Sequence, residues 1–460
     1  MKKQDLQPTD DNIRNTFYKD SIGRNKDLVY FIKIIDSIDE SYSIALDSYW
    51  GSGKTFFVKQ VKMILDAKTE ESYGEVEGKE QVVNTWNRIS KNMQLKKHVP
   101  IYYDAWQNDC DDDPIYSLVY QIAIDTANIK GLKDKISFSD IIAAAGKLTG
   151  AITGFDPNEI ADSLKKTDFL EKMRSRKKIE SRVKLFLNRL LPDGCDRLLI
   201  IIDELDRCNP EFAVKLLERI KHYFNNDRVT FLFSVNIAEL QHTVKTHYGA
   251  DFNASRYLDR FFDLRVPLSR PKAELLLKNA DYTIMDCIDF DIVIAAYDYF
   301  NMQIRDYQKY TYLLKRFVKP SLFHSNEELS NTFDIIENVL LPFSWGLMMN
   351  DTQKYQDFIS GKDDSELINF ILHPQIFKKS EQYIENLFNK PVETAYLERK
   401  IELGSKMDYQ FLHDFYDMFF TSKSEGVLGK CKIRNYEREF FRDVVAQMSK
   451  YMILDDLDQT

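Results

Sequence analysis

Tyr42-Ser-Ile-Ala-Leu-Asp47, Ser48-Tyr-Trp-Gly-Ser-Gly-Lys-Thr55 and Phe56-Phe-Val-Lys-Gln-Val-Lys-Met-Ile-Leu65 follow one another without a break. The first piece is a short, mainly apolar run that reads as a buried strand. The last places Phe57, Val58, Val61, Ile64 and Leu65 on one face of a helix. A Gly-rich turn from a strand into a helix gathers backbone N–H groups at a positive helix end, the arrangement that receives a polyphosphate. Glycines let the main chain approach a ligand without a side-chain clash. The turn ends in Gly53-Lys54-Thr55 and matches G-x-x-x-x-G-K-[ST] except at its first position, where Ser48 replaces glycine. Trp50, Gly51, Ser52, Gly53, Lys54, Thr55 and Phe56 are therefore the expected phosphate-binding residues. Lys54 would reach the β- and γ-phosphates, and the Thr55 hydroxyl would face the Mg2+ that bridges them. Ser48 removes the most permissive residue from the tightest point of the turn, with Gly51 available to compensate.

A second element gives the loop its complement. Leu198-Leu-Ile-Ile-Ile-Asp203-Glu204 is an apolar strand ending in two carboxylates. Asp203 would hold the magnesium and Glu204 would polarise the attacking water. Beyond them, Asp206 and Arg207 either pair with each other or face the γ-phosphate. Asn236 ends the run Thr230-Phe-Leu-Phe-Ser-Val and would either orient water beside the γ-phosphate or cap the next helix. Arg256, Arg260 and Arg305 are candidates for an arginine that neutralises transition-state charge, supplied by the same or a neighbouring subunit, or else for surface ion pairs.

Outward from these motifs, Val99–Asp104, Arg197–Asp203 and Val229–Val235 read as further strands, with helices from Asp113-Pro114 and over Glu211–Phe224. Strands alternating with helices predict an α/β fold with a parallel sheet flanked by helices. Residues 1–19 read as a polar arm or strap, residues 20–270 as the core, and about 68–98 and 130–165 as insertions. Residues 271–330 read as a helical lid and 331–460 as a helical C-terminal domain. Phe169–Leu191 reads as a long amphipathic helix whose cations, Arg174 to Lys184, are either a solvated face or a phosphate contact.

The chain has 460 residues, 44% hydrophobic and 29% charged, in the globular range and long for a single core. Its 63 basic and 72 acidic residues give a net charge of −9, which supplies no electrostatic case for wholesale binding to nucleic acid or anionic membrane. Nucleic acid stays open only through a local patch. Five cysteines without C-x-x-C spacing argue against a disulfide framework or zinc site. The polar start has no apolar signal region, and Ile141–Phe155 is too short and polar to span a bilayer, so a cytoplasmic protein without a membrane span is expected.

Four stretches resemble the KAP family of P-loop NTPases, in the STAND branch near the AAA+ class. They are Tyr49–Thr55, Tyr103-Asp-Ala-Trp-Gln-Asn-Asp109, Ile200-Ile-Ile-Asp-Glu-Leu-Asp-Arg-Cys-Asn-Pro-Glu211 and Tyr257-Leu-Asp-Arg-Phe-Phe-Asp-Leu-Arg-Val-Pro267. The resemblance implies an ATPase that uses ATP and Mg2+ through Walker A and Walker B motifs. It also implies that Trp106 packs rather than catalyses and that Arg305 belongs to a lid that senses the γ-phosphate. Many family members carry membrane helices between the two nucleotide motifs, whereas the insertion here is too polar for one. Bacterial members are often associated with exclusion of phages or plasmids. The reading is a Mg-dependent ATP hydrolase that switches conformation or assembly and regulates a partner protein or its own oligomer. The alternatives are a nucleotide-binding scaffold with little hydrolysis and a nucleic-acid-associated motor.

Overall fold

A computed structural model describes residues 7–69, 78–111, 114–127, 195–224, 226–278, 289–317, 331–376, 378, 406–421, 425–428 and 431–457. The 130–165 insertion, the 141–155 run and the basic 169–191 helix lie outside the described residues.

Five parallel strands form the central sheet: β1 (Tyr42–Asp47), β2 (His98–Asp104), β3 (Arg197–Asp203), β4 (Val229–Val235) and β5 (Leu264–Pro267), in the order β2-β3-β4-β1-β5. The period of two along a strand sends side chains to two separate cores. Leu198, Ile200 and Ile202 of β3 enter one core with Phe231 and Phe233 of β4, while Leu199 and Ile201 enter the other with Leu232. A strand apolar at every position is what two covered faces require, and all seven residues of β3 and of β4 are buried.

The first core is closed by α5 (Pro114–Ala127), α6 (Pro210–Tyr223), α7 (Ile237–Tyr248) and α8 (Ala254–Leu258). The second is closed by α1 (Asp10–Lys19), α2 (Asn25–Asp36), α3 (Lys54–Lys68) and α4 (Lys79–Ser90). Helix α1 lies in the segment expected as a polar arm or strap. Thr9 caps it, Ile13 and Phe17 are buried, and Gln60 of α3 donates to the Ile13 carbonyl at 3.2 Å and the Thr16 hydroxyl at 3.0 Å. Helix α4 lies inside the expected 68–98 insertion, where Val82 and Trp86, one turn apart, are buried against the sheet. Strand β5 carried no strand signal because it is four residues long and ends in Pro267, which an edge strand tolerates.

Contacts divide the chain into residues 1–271 and 272–460. The second unit is mostly helical among the described residues and opens with α9 (Ala273–Lys278). Within the stretch expected as a helical lid stand α10 (Phe290–Tyr299) and α11 (Ile304–Phe317), separated where Asn301 takes φ 50°. A short antiparallel hairpin, Gly426–Leu428 with Cys431–Ile433, also stands among helices here. Among the described residues no helix is long and apolar enough to cross a membrane.

Candidate functional site

Parallel register brings the carboxyl ends of β1, β4, β3 and β2 into one row, with Asp47 beside Val235, Ser234 beside Asp203 and Asp203 beside Asp104. Ligands of open α/β sheets bind outside this edge. The Ser48–Thr55 turn starts here, tied down by the Ser48 N–H donating to the Val235 carbonyl at 3.2 Å. Its left-handed residues are Gly51, φ 76°, and Gly53, φ 86°, and Ser48 is not among them. The serine therefore stands where no glycine conformation is needed, and the turn forms without strain at that point.

Gly53 caps α3 and Lys54 opens it. Lys54 is 8% exposed, and its Nζ donates to the carbonyls of Ser48 at 2.7 Å and Tyr49 at 3.2 Å. Burial pushes its ammonium below the usual lysine range, against the pull of Asp206, Asp203 and Glu204. Ser52 is buried, and Arg24 crosses behind the loop, donating to the Ser52 carbonyl at 2.9 Å and the Ser269 carbonyl at 2.6 Å. Arg24 belongs to no motif in the sequence. Only its place in a Gly-Arg turn before a helix hinted at a role.

Asp203 is fully buried. One of its oxygens accepts from the Tyr102 hydroxyl at 2.9 Å and the other from the Glu204 N–H at 3.1 Å. Burial and the Asp203 charge push the Tyr102 hydroxyl far above its usual range, so it stays a donor. Glu204 has φ 60°, a left-handed turn that costs a non-glycine residue about 1–2 kcal/mol and lifts its side chain off the strand line. Its Oε1 accepts from the Thr55 hydroxyl at 3.3 Å and its Oε2 meets Arg207 Nε at 2.5 Å. Burial, then the Asp203 charge, raises the Glu204 carboxyl, and Arg207 opposes them. Lys54, Thr55, Asp203 and Glu204, far apart in sequence, thus form one cluster.

Asp206 and Arg207 do not pair with each other. Asp206 accepts from Trp50 Nε1 at 2.6 Å, and burial raises its carboxyl against the pull of Lys54. Trp106, expected to pack, is half exposed with the Arg207 guanidinium over its ring. Asp104 builds the turn that holds it, accepting from the Gln107 N–H at 3.0 Å. Asn236 is buried at the end of β4 and caps α7, its Oδ1 accepting from the Ala238 N–H at 3.2 Å. The Phe56 side chain is buried on α3, in the first turn directly after Thr55.

Arg260 is exposed and precedes β5, whose start is marked by the Asp263 N–H donating to the Ser43 carbonyl. That is the end where the strands begin, opposite the loop. Arg305 is exposed in the first turn of α11, in the second unit. Arg260 does not join the cluster of its own unit.

The family model described as the KAP family P-loop domain matches residues 26–286. An uncharacterized protein of Methanocaldococcus jannaschii is 26% identical over 195 residues, covering 32% of this chain and 98% of that protein. Among solved structures, the Aeropyrum pernix ORC2 protein, in its ADPNP-ADP complexes, aligns over 94% of this chain and 93% of its own at 10% identity. The TM-score of that alignment is 0.30. Because the matched family span runs from α2 past β5, over more than half of the sequence, the chain belongs to the KAP family of P-loop NTPases.

Proposed function

We propose that this chain is a Mg-dependent ATP hydrolase that uses ATP binding and hydrolysis to switch its conformation or assembly. The observation that carries the reading is the meeting of Thr55, at the start of α3, with Glu204, at the end of β3, hydroxyl to carboxylate at 3.3 Å. Loop and acidic strand therefore address the same point in space.

The Thr55 hydroxyl and the Asp203 carboxylate are hard oxygen donors, few in number, which suits a magnesium ion that keeps waters and phosphate oxygens as its other ligands. Bound there, the ion would neutralise charge on the bridging phosphates. Lys54 would exchange the Ser48 and Tyr49 carbonyls for β- and γ-phosphate oxygens. The N–H groups of Gly51 to Thr55 would face the polyphosphate. Glu204 would hold the attacking water and take its proton at a carboxylate oxygen. The Asn236 amide NH2, the part of that side chain not used in capping, is a further group proposed to orient this water.

Arg256 and Arg260 are exposed and make no ion pair among the described residues, and Arg260 stands at the sheet end away from the loop. That placement supports their use on a neighbouring copy, and we assign Arg305 the γ-phosphate-sensing role that the family resemblance implies. Phosphate release should then require Mg2+ and rise in specific rate with protein concentration. Release that is indifferent to chelator, or a specific rate flat with concentration, would remove the metal or the assembly element respectively.

A scaffold that binds nucleotide with little turnover is the second reading, favoured by one observation: both oxygens of Glu204 are occupied, by Thr55 and Arg207. Binding with no phosphate release under any assembly condition would select it. Exclusion of phages or plasmids as the biological setting rests on the family resemblance alone. Plating of phage on cells carrying the wild-type gene or Lys54→Ala tests it.

A further inference from the structure

Trp50, Trp106 and Arg207 lie at the site but are not used by the phosphate chemistry above. Trp50 is 44% and Trp106 51% exposed, an unusual cost for the largest apolar side chain. The Arg207 guanidinium lies 5.8 Å from the Trp50 ring centroid and 5.4 Å from that of Trp106. Ring faces at this range attract a planar cation. Each ring is anchored in turn, Trp50 by its Nε1–H to Asp206 and Trp106 by the turn that Asp104 closes. From between them Arg207 meets Glu204 Oε2 at 2.5 Å, while the other oxygen of Glu204 faces Thr55.

We propose that Arg207, clamped by Trp50 and Trp106, is the positioning residue of Glu204, aiming one carboxylate oxygen at the Thr55 hydroxyl and the terminal phosphate beyond it. This rests on the reading of Glu204 as the residue that activates water. A glutamate on a left-handed strand tip has several rotatable bonds, and freezing them costs conformational entropy unless a neighbour already holds the group. A misplacement of about 1 Å at a reacting centre costs roughly a hundredfold in rate. Arginine suits the position because its flat guanidinium can stack on aromatic faces while an edge N–H holds a carboxylate, whereas lysine presents a compact ammonium without faces. Trp50 is also part of the phosphate loop, so a shift of the loop on nucleotide entry is felt by the clamp and by Glu204.

The test compares the wild type with Arg207→Ala, Arg207→Lys, Trp106→Ala and Glu204→Gln. It measures kcat and KM for Mg-ATP, and acrylamide quenching of tryptophan emission without nucleotide. Arg207→Ala should lower kcat by roughly ten- to a hundredfold, with KM within about twofold. Arg207→Lys should not restore kcat, and quenching should rise in Arg207→Ala as two exposed indoles lose their cover. A raised KM with unchanged kcat would make Arg207 a phosphate contact and overturn the proposal, as would full activity of Arg207→Lys. If Arg207→Ala does not fold, Trp106→Ala should still lower kcat at unchanged KM, and an unaffected kcat would overturn the clamp. Loss of turnover in Glu204→Gln with full turnover in Arg207→Ala refutes the clamp alone. Wild-type turnover in Glu204→Gln refutes the reading of Glu204 itself.

Discussion

Replacing Lys54 by alanine should weaken nucleotide binding by roughly thirtyfold to a thousandfold. In the structure the ammonium is buried and spends its protons on two loop carbonyls, at 2.7 and 3.2 Å. Phosphate oxygens would replace those carbonyls with charge-assisted bonds worth about 1.5–3 kcal/mol each. Two such bonds, less about 1–2 kcal/mol for the carbonyl contacts given up, leave about 2–4 kcal/mol of net binding. The fold should be little affected, because Tyr49 is exposed and Ser48 only half-buried, so water can reach both carbonyls once the lysine is gone. The assay is titration with a fluorescent ATP analogue in the presence of Mg2+, alongside a melting curve. An affinity within about threefold of the wild type, with the fold intact, would refute the role of Lys54 and the energetics behind it.

Trp86 is fully buried, yet its indole N–H has no partner among the described residues. Trp86→Ala should cost about 3–5 kcal/mol, but Trp86→Phe much less, since it keeps a buried ring while removing the unsatisfied donor; denaturant midpoints that fall equally for both would contradict this. Asp36 Oδ1 accepts from the Lys96 N–H at 2.7 Å and lies 3.0 Å from His98 Nε2. Burial alone would raise this carboxyl, but His98 and Lys96 together hold it below its usual 3.8. A depressed folded value stabilises above the unfolded value and is lost as pH falls through the folded one. Asp36→Asn should therefore lower Tm near neutral pH, by the equivalent of about 1–2 kcal/mol, with the gap closing below about pH 3.8. A gap constant into strong acid would contradict it. A Cβ added at Gly346 would lie 2.2 Å from the Phe300 ring, which stacks on Phe370. Overpacking of roughly 1–3 kcal/mol should outweigh the helix-propensity gain of about 1 kcal/mol, so Gly346→Ala should unfold at lower denaturant, and a more stable variant would refute that packing.

The elements legible in the sequence were those under the strongest constraint. β1, β3 and β4 are buried on both faces and read as apolar runs, and the loop and the Asp203-Glu204 pair needed a fixed spacing of unusual residues. Helices α1 and α4 escaped because each buries only a few apolar side chains, Ile13 and Phe17 in one, Val82 and Trp86 in the other. Ser48 looked like a defect because a motif records residue types and not dihedral angles, and its backbone needs no glycine. The partners of Asp206 and Arg207 were hidden for a different reason. Trp50 and Glu204 are chosen by how β1 and β3 present their tips, a three-dimensional fact with no local signature. Asn236 kept two readings in sequence, and its capping bond to Ala238 accounts for one oxygen and leaves the amide group for the other role.

The most direct measurement is steady-state phosphate release from Mg-ATP by the wild-type chain and Glu204→Gln at matched concentrations. The account predicts measurable turnover in the wild type and a loss of roughly a hundredfold to ten-thousandfold in Glu204→Gln with nucleotide binding retained. Equal turnover in the two proteins would contradict it.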